Sequence, residues 1–201
     1  MTAVPEAALL DSLTRRIAAH TPTRANAAPE VRRAAVAAVL RPDAHGSADL
    51  LFIQRAIYAG DPWSGQVALP GGRAEPSDTS LVETAVRETR EEVGGDLAVA
   101  ARLVGALDEI HPLTPLLPPI VVRPHLFVLH DAFEVAPSVE VAAAFWVPLA
   151  ALLDPAARRP HTVEVSGARF LTSAFVVGER VIWGITERIL GQLLGLPHTR
   201  P

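Results

Sequence analysis

Residues 71–95 read GGRAEPSDTSLVETAVRETREEVGG, and this stretch decides which fold the sequence predicts. Residues 78–93 are predicted to form a helix, because Ser77 and Asp78 are residue types that begin helices and the Gly-Gly pair at 94–95 ends them. At about 100° per residue, one side of this helix carries an apolar stripe that we expect to face the core. The stripe consists of Val82, Val86, Thr89 and Val93.

Three glutamates lie on a different face of the same predicted helix: Glu88, Glu91 and Glu92. Their spacing brings like charges together, and two of them fall in the last turn, where the helix dipole disfavours anions. A divalent cation would turn this repulsion into coordination, because Mg²⁺ and Mn²⁺ prefer oxygen ligands. The alternative is a solvated charged face, neutralised by Arg87 and Arg90. The glycines before the helix favour a site, since bare backbone can approach a phosphate or a metal closely.

The spacing of these residues resembles the Nudix box. Gly72 is followed by five residues and Asp78, and then by eight residues and Arg-Glu-Thr-Arg-Glu-Glu-Val-Gly at 87–94. Three features depart from the family pattern: Asp78 replaces a glutamate, one extra residue precedes Arg87, and Gly95 replaces an apolar residue. The first two departures are also features of the Nudix subgroup that resembles coenzyme A diphosphatases.

The resemblance to this subgroup covers about residues 31–194. Residues 50–56 and 65–72 are similar to its upstream motif, and residues 182–186 (IWGIT) are similar to a stretch near its C-terminus. The matching upstream positions are Arg55, Ala56, Gly65 and Pro70. An arginine of the motif has no counterpart, because its place falls on Gly60 or Asp61, and Leu69 stands where phenylalanine is usual.

The resemblance implies divalent-metal-dependent hydrolysis of a nucleoside diphosphate linked to another group. Mg²⁺ or Mn²⁺ would be held by Glu88, Glu91 and Glu92, with a carbonyl of Gly71 or Gly72 completing the coordination sphere. Arg87 would orient these carboxylates through a charge-assisted hydrogen bond to Glu91. The implied substrate is coenzyme A or an acyl-CoA, which would be cut to 3′,5′-ADP and a phosphopantetheine product.

The base that activates water is less well specified by the resemblance. Glu88 plays this part in some relatives, whereas others use a later carboxylate, for which Glu109 and Glu140 are the candidates here. Each of these two is equally consistent with an ordinary loop carboxylate. Arg55 either binds a substrate phosphate or caps a strand, and Trp63 either covers an adenine or packs its own loop. Backbone at Gly71 is expected to approach the substrate.

Composition excludes several other classes of protein. The chain has 201 residues, of which 49% are hydrophobic, so it can bury a core and is not a disordered protein. A net charge of −4 argues against nucleic acid as a partner. All 18 basic residues are arginine and there is no cysteine, which excludes lysine chemistry, thiolate catalysis and disulfides. Neither a signal peptide nor a membrane segment is predicted, and we expect a cytoplasmic protein.

The predicted fold class is α+β, a Nudix-like α/β/α sandwich with a mixed central sheet. Strands are expected at 31–40, 50–57, 97–107 and 121–130, with a closing helix at 183–194. The leucines of the closing helix predict core packing, with a homodimer contact as the lesser option. The chain is divided into an N-terminal helix and linker, a Nudix hydrolase domain and a C-terminal tail, at 1–29, 30–196 and 197–201.

Three alternatives to a coenzyme A diphosphatase are carried forward. A Nudix pyrophosphatase could act instead on ADP-ribose, a nucleotide sugar or a nucleoside triphosphate. A Nudix-like domain could bind a nucleotide without cutting it, but it would be expected to have lost part of the box, which is intact at Arg87, Glu88, Glu91 and Glu92. A plain scaffold domain would have to place three like charges behind a Gly-Gly loop by accident.

Overall fold

The computed structural model describes residues 8–58, 63–112, 119–165 and 167–197. Its helices are α1 (Leu9–Ala18), α2 (Leu81–Val93), α3 (Leu97–Ala100), α4 (Leu149–Leu153) and α5 (Gly184–Leu194). Its strands are β1 (Arg32–Pro42), β2 (Ala48–Arg55), β3 (Val67–Ala68), β4 (Gly71–Arg73), β5 (Ala101–Ala106), β6 (Ile120–Leu129), β7 (Val141–Pro148), β8 (Arg158–Val165), β9 (Ala168–Val177) and β10 (Arg180–Trp183).

A mixed sheet of seven described strands forms the centre of the molecule. Its main path runs β3-β2-β1-β6-β5, while β4 pairs with β1 and β7 pairs with β2. The pairing of β1 with β6 is parallel, and the others within this sheet are antiparallel. Strands β1 and β2 diverge, and the short strands β3 and β4 lie in the fork between them. A second sheet, in the order β10-β9-β8, is entirely antiparallel.

Alternation along β1 separates two cores on the two faces of the main sheet. Ala35, Ala37 and Val39 pack with Ala85 and Val93 of α2, whereas the intervening residues face the other side. That other side is covered by α1, α4, α5 and the second sheet. The predicted α+β sandwich with a mixed sheet is therefore confirmed, and α2 is the helix that holds the candidate site against the sheet.

Helix α2 begins later than the sequence pattern predicts. Ser80, with extended backbone, is the N-cap and accepts a hydrogen bond from the amide of Glu83, so Asp78 lies before the helix. The predicted end at Gly94 is confirmed, since this residue has a φ of 75° and caps the last turn. The predicted apolar stripe is only partly right. Thr89 and Val93 are buried, but Ala85 lies deeper in the interface than Val82 or Val86.

Two further elements differ from the predictions. The strand expected at 97–107 begins only at Ala101, because Asp96 caps a short helix, α3, at its start. The closing helix begins at Gly184 rather than at residue 183. Its Ile189, Leu190 and Leu193 are buried in the core, as the leucine pattern predicts.

The N-terminal segment is packed against the rest of the chain. Leu13 and Ile17 of α1 are buried in the core that α5 shares, and Arg16 donates a hydrogen bond to the carbonyl of Gln192. Further along, the amide of Thr23 donates to Asp108. Residues 1–29 thus form no separate globular unit where they are described, and the division at residues 29 and 196 stays a prediction. Among the described helices, none has the length and apolar character needed to span a membrane.

Candidate active site

The two glycines of β4 bring α2 into direct contact with the sheet. Gly71 has a φ of 151°, and a β-carbon on it would collide with the backbone oxygen of Ala35. A β-carbon on Gly72 would collide with the carboxylate of Glu88. Gly71 therefore requires glycine, because both its φ and the neighbouring backbone exclude a side chain, whereas a side chain at position 72 would displace the carboxylate of Glu88. The result is a strand whose backbone lies directly beneath the glutamates of α2.

Arg87 donates hydrogen bonds to four residues, two that precede α2 and two within its second half. Its Nε and Nη2 donate to the two carboxylate oxygens of Asp78, each at 3.0 Å, and Nη2 also donates to the carbonyl of Arg73 at 2.9 Å. Its Nη1 donates to Glu88 at 3.1 Å and to Glu91 at 2.9 Å. One guanidinium nitrogen thus bridges two of the three predicted metal ligands. The predicted contact with Glu91 is present, and Arg87 makes a second, unpredicted contact with Glu88.

Asp78 is the anchor of this arginine. Besides Arg87 it accepts hydrogen bonds from the hydroxyl of Thr84 and the amide of Glu75, each at 2.9 Å, and its side chain is 5% exposed. The paired guanidinium holds the pKa of Asp78 well below its usual range, and the carboxylate in turn raises the pKa of Arg87. The resemblance includes Asp78 in the Nudix box but assigns it no role. Its role here is to position Arg87.

Glu88 and Glu92 are the buried carboxylates of the site. Glu92 is 5% exposed, and its Oε2 accepts a hydrogen bond from the amide of Gly71 at 2.8 Å. Burial, assisted by the nearby charge on Glu88, raises the pKa of Glu92 to about 7. Burial also raises the pKa of Glu88, which is partly offset by Arg87. Two neighbouring carboxyl groups with raised pKa values are typical of functional sites.

Glu91 is the most exposed of the three glutamates. Its side chain is 55% exposed and contacts Arg87. Across the described residues, no three acidic or histidine side chains lie close enough together to hold a metal ion. The assignment of Glu88, Glu91 and Glu92 as metal ligands therefore stays a prediction. Glu88 and Glu91 accept hydrogen bonds from Arg87, whereas Glu92 accepts one from the amide of Gly71.

Glu140 and Arg55 lie at the edge of the same cluster. The charge on Glu140 raises the pKa of both Glu88 and Glu92, and the charge on Arg55 opposes the rise at Glu92. The amide of Ala56 donates to the carbonyl of Glu140 at 2.8 Å, so the residue after β2 fixes the turn that carries this glutamate. Glu140 is exposed, whereas Arg55 is half-buried. These two sequence candidates are thus brought towards the cluster.

Glu109, the other candidate base, occupies a different environment. Its side chain is 1% exposed and accepts hydrogen bonds from Arg123 at 2.7 Å, Arg33 at 3.2 Å and the amide of Ala25 at 2.9 Å. Burial alone would raise the pKa of Glu109, but these donors outweigh it and hold the pKa below its ordinary value. A carboxylate held in this way is a poor proton acceptor, so the structure argues against Glu109 as the base.

Trp63 lies in a turn just before β3 and is half-buried, and its carbonyl accepts a hydrogen bond from the amide of Gln66. This placement leaves its predicted contact with a base untested. Gly60 and Asp61, where the resemblance lacks an arginine, lie outside the described residues.

Comparison with known proteins identifies the family. The model of the NUDIX domain matches residues 31–165. The "Uncharacterized Nudix hydrolase NudL" of Photorhabdus laumondii is 33% identical over 162 residues, covering 78% of this chain and 82% of that protein. The human "Mitochondrial coenzyme A diphosphatase NUDT8" is 34% identical over 183 residues, covering 87% of this chain and 72% of that protein. Other relatives are longer than the region that this chain matches. The match covers 49% of the length of "Nudix hydrolase 15, mitochondrial" of Arabidopsis thaliana and 41% of the length of a fission yeast protein.

Solved structures share the fold. A MutT/nudix family protein from Enterococcus faecalis superposes with a TM-score of 0.54 at 16% identity, covering 92% of this chain and 67% of that one. An Ap4A hydrolase of C. elegans superposes with a TM-score of 0.50 at 22% identity, covering 60% of this chain and 82% of that one. At these identities the likeness establishes the architecture and carries no information about substrate.

Proposed function

This chain belongs to the NUDIX domain family, and on that premise we propose that it hydrolyses a nucleoside diphosphate-linked substrate with the help of a divalent cation. The observation that carries the proposal is the bridge made by Arg87 Nη1 between Glu88 and Glu91, beside the buried Glu92 and the Gly71–Gly72 backbone. A domain that only bound a nucleotide would have no need to keep this costly arrangement of buried charge.

The side chains at this position fit a hard divalent cation. Glu88, Glu91 and Glu92 offer only oxygen donors, the type that Mg²⁺ and Mn²⁺ prefer. The raised pKa values of Glu88 and Glu92 mark a cluster with too much negative charge for its surroundings, which a cation would neutralise. The proposed ligands are these three carboxylates and the carbonyl of Gly72. When bound, the ion would offset the charge that develops on the diphosphate during hydrolysis.

The remaining groups take separate parts in the proposed reaction. The oxygen of a water molecule forms a bond to one phosphorus, the bond from that phosphorus to the bridging oxygen breaks, and the leaving phosphate takes the electron pair. Glu140 is our choice for the base that accepts the proton of the water, because it is exposed and its charge acts on Glu88 and Glu92. Arg87 positions the carboxylates, and Arg55 binds a phosphate oxygen.

Coenzyme A or an acyl-CoA is the proposed substrate, with 3′,5′-ADP and the corresponding phosphopantetheine as products. Two observations support this choice. Residues 50–56 and 65–72 resemble the coenzyme A subgroup, and the human relative named as a coenzyme A diphosphatase is 34% identical. Cytoplasmic location and homodimer formation stay predictions, and the name of that human relative places it in mitochondria.

The test is hydrolysis of a panel of substrates with Mg²⁺ and with Mn²⁺, comparing wild type with Glu91→Gln. The panel contains coenzyme A, ADP-ribose and the nucleoside triphosphates. We expect coenzyme A to be cut to the two named products only when metal is present, and we expect E91Q to lose this activity. Glu83→Gln is the matched control, because Glu83 is an exposed glutamate of α2 that contacts Thr79 rather than the cluster. Cleavage of another substrate alone would refute the coenzyme A assignment but keep the site.

A further inference from the structure

The turn that carries Glu140 joins the end of α2 to the end of β2. We call residues 138–140 the Glu140 turn. The amide of Ser138 donates to the carbonyl of Glu92 at 2.9 Å, and the carbonyl of Glu140 accepts from the amide of Ala56 at 2.8 Å. One side of the turn is thus tied to the helix that carries the proposed metal ligands, and the other side is tied to the residue after β2.

The Glu140 turn is held by hydrogen bonds more than by packing. Val139 is 87% exposed, Glu140 is exposed, and Ser138 is half-buried. The amide of Glu140 donates to the hydroxyl of Ser138 at 3.3 Å, and the amide of Val141, where β7 begins, donates to the carbonyl of the same serine at 3.1 Å. A segment that buries so little apolar surface opens locally at low cost, so its position depends on the hydrogen bonds made to it.

Tyr58 makes a further long-range bond to this turn. Its phenolic hydroxyl donates to the carbonyl of Val139 at 3.0 Å, and the two residues are 81 positions apart in the sequence. The backbone of Tyr58 is fixed by Ser64, whose hydroxyl accepts from the Tyr58 amide at 2.7 Å and donates to the Tyr58 carbonyl at 3.1 Å. The phenol therefore extends from a backbone that is itself held, and it reaches the turn one residue before the carbonyl that Ala56 bonds.

The position of the Glu140 turn matters because Glu140 is the proposed base. Its charge raises the pKa of Glu88 and Glu92, so this carboxylate acts on the cluster from a different element of the fold. A general base must stay within hydrogen-bond reach of the water that it deprotonates. A turn that moved freely would hold Glu140 in that position for only part of the time.

We propose that Tyr58 is a positioning residue, whose phenol restrains the Glu140 turn and so keeps the Glu140 carboxylate at the reacting water. In this role Tyr58 acts through Glu140 and need not touch the substrate. The inference rests on the proposed function, in which Glu140 accepts the proton. It gives a purpose to a half-exposed aromatic ring whose hydroxyl bonds the main chain of a distant segment.

Amide hydrogen exchange tests the restraint without catalysis. The reporters are the amides of Ala56 and Val141, which donate to carbonyls of the turn, and the variant is Tyr58→Phe, which removes only the hydroxyl. We expect these two amides to exchange about fivefold faster in Y58F, the change in local opening that corresponds to one net hydrogen bond. The amide of Gly94, which caps α2 by donating to Arg90, is the internal reference and should exchange as before. Unchanged exchange at both reporters would overturn the inference.

Kinetics tests whether the restraint acts through Glu140. We expect Y58F to lower kcat for coenzyme A about fivefold, with KM and the metal requirement nearly unchanged, because the proposed metal and substrate contacts stay in place. In the Glu140→Gln background the same change should have no further effect, since the base is already absent. Thr14→Val is the matched control. It removes a hydroxyl that donates to the carbonyl of Leu10 in α1, and it should keep the wild-type kcat.

The outcomes separate this inference from the proposed function. An equal loss of kcat from Y58F in wild type and in E140Q, or no loss in wild type, would overturn the role of Tyr58 and leave the hydrolysis intact. Faster exchange in Y58F, in a protein that hydrolyses none of the panel substrates, would refute the proposed function and support the restraint on the turn.

Discussion

Replacing Asp78 with alanine should both destabilise the protein and slow catalysis, although Asp78 is not a proposed metal ligand. The change removes two charge-assisted hydrogen bonds from Arg87 and one each from Thr84 and the Glu75 amide. Breaking a buried pair by removing one partner costs about 3–5 kcal/mol. Arg87 keeps Glu88 and Glu91 as partners, so we expect the lower end of the range, about 3 kcal/mol in the free energy of unfolding.

Urea unfolding near neutral pH measures this loss. Asp96→Ala is the control, because it removes an aspartate that caps α3 away from the cluster and should cost only about 1 kcal/mol. In hydrolysis assays D78A should lower kcat and require more metal, since the nitrogen that bridges Glu88 and Glu91 belongs to the arginine that Asp78 holds. D96A should keep both values.

The pH dependence of D78A provides a second check with a definite sign. Arg87 lowers the pKa of Asp78 in the folded protein. The stability contributed by the Asp78–Arg87 pair is therefore complete at pH values above the ordinary pKa of aspartate, and it is lost as the pH falls through the lowered pKa of the folded state. The deficit of D78A should therefore shrink in acid. A loss below about 1 kcal/mol at neutral pH, or a D78A enzyme with wild-type metal dependence, would refute the role given to Asp78.

Three other predictions follow from the same cluster and its surroundings. In the presence of a chelator, Glu92→Gln should raise the free energy of unfolding by about 3 kcal/mol near pH 8, because it removes a buried charge whose pKa is about 7. The same change should abolish metal-dependent activity. Destabilisation of the variant under those conditions would contradict this prediction. Glu140→Gln should lower kcat by about a hundredfold or more with little change in the free energy of unfolding. Glu109→Gln should lower the free energy of unfolding by about 3 kcal/mol and leave kcat unchanged. The reverse pattern would make Glu109 the base. Burial and the charge on Arg123 lower the pKa of His125 to about 4, so this histidine should cost the folded state about 2 kcal/mol between about pH 7 and pH 5 as the unfolded chain takes up a proton. Because the raised pKa of Glu92 acts in the opposite direction over the same range, the measurement is the difference in unfolding free energy between wild type and His125→Leu, which should change by about 2 kcal/mol between the two pH values; a constant difference would contradict this.

Local sequence was sufficient for the parts of the site that lie within one continuous stretch. Glu88, Arg87 and the glycines of β4 could be identified because their spacing along residues 71–95 already encodes a strand, a loop and a helix. The Arg87–Glu91 contact follows from helical periodicity alone, since residues four apart share a face. Ser80 was missed as the N-cap because Ser77 and Asp78 are equally good capping types.

Sequence failed where partners come from distant segments. Glu109 resembles any loop carboxylate until Arg33 and Arg123 are brought to it by two neighbouring strands. These two donors come from β1 and β6, so the local pattern around Glu109 carries no information about them.

The parallel pairing of β1 with β6 also determines when this protein can fold. It places Arg32 opposite Ile120 and continues to Leu40 and Val128, and the segment between the two strands contains the whole Gly-Gly turn and helix α2. Closing so long a loop is entropically costly and slow. During synthesis β1 emerges long before β6, and its alanine- and valine-rich edge stays unpaired until then. Chains released before β6 should therefore lack a folded metal site even though every proposed ligand has already been made.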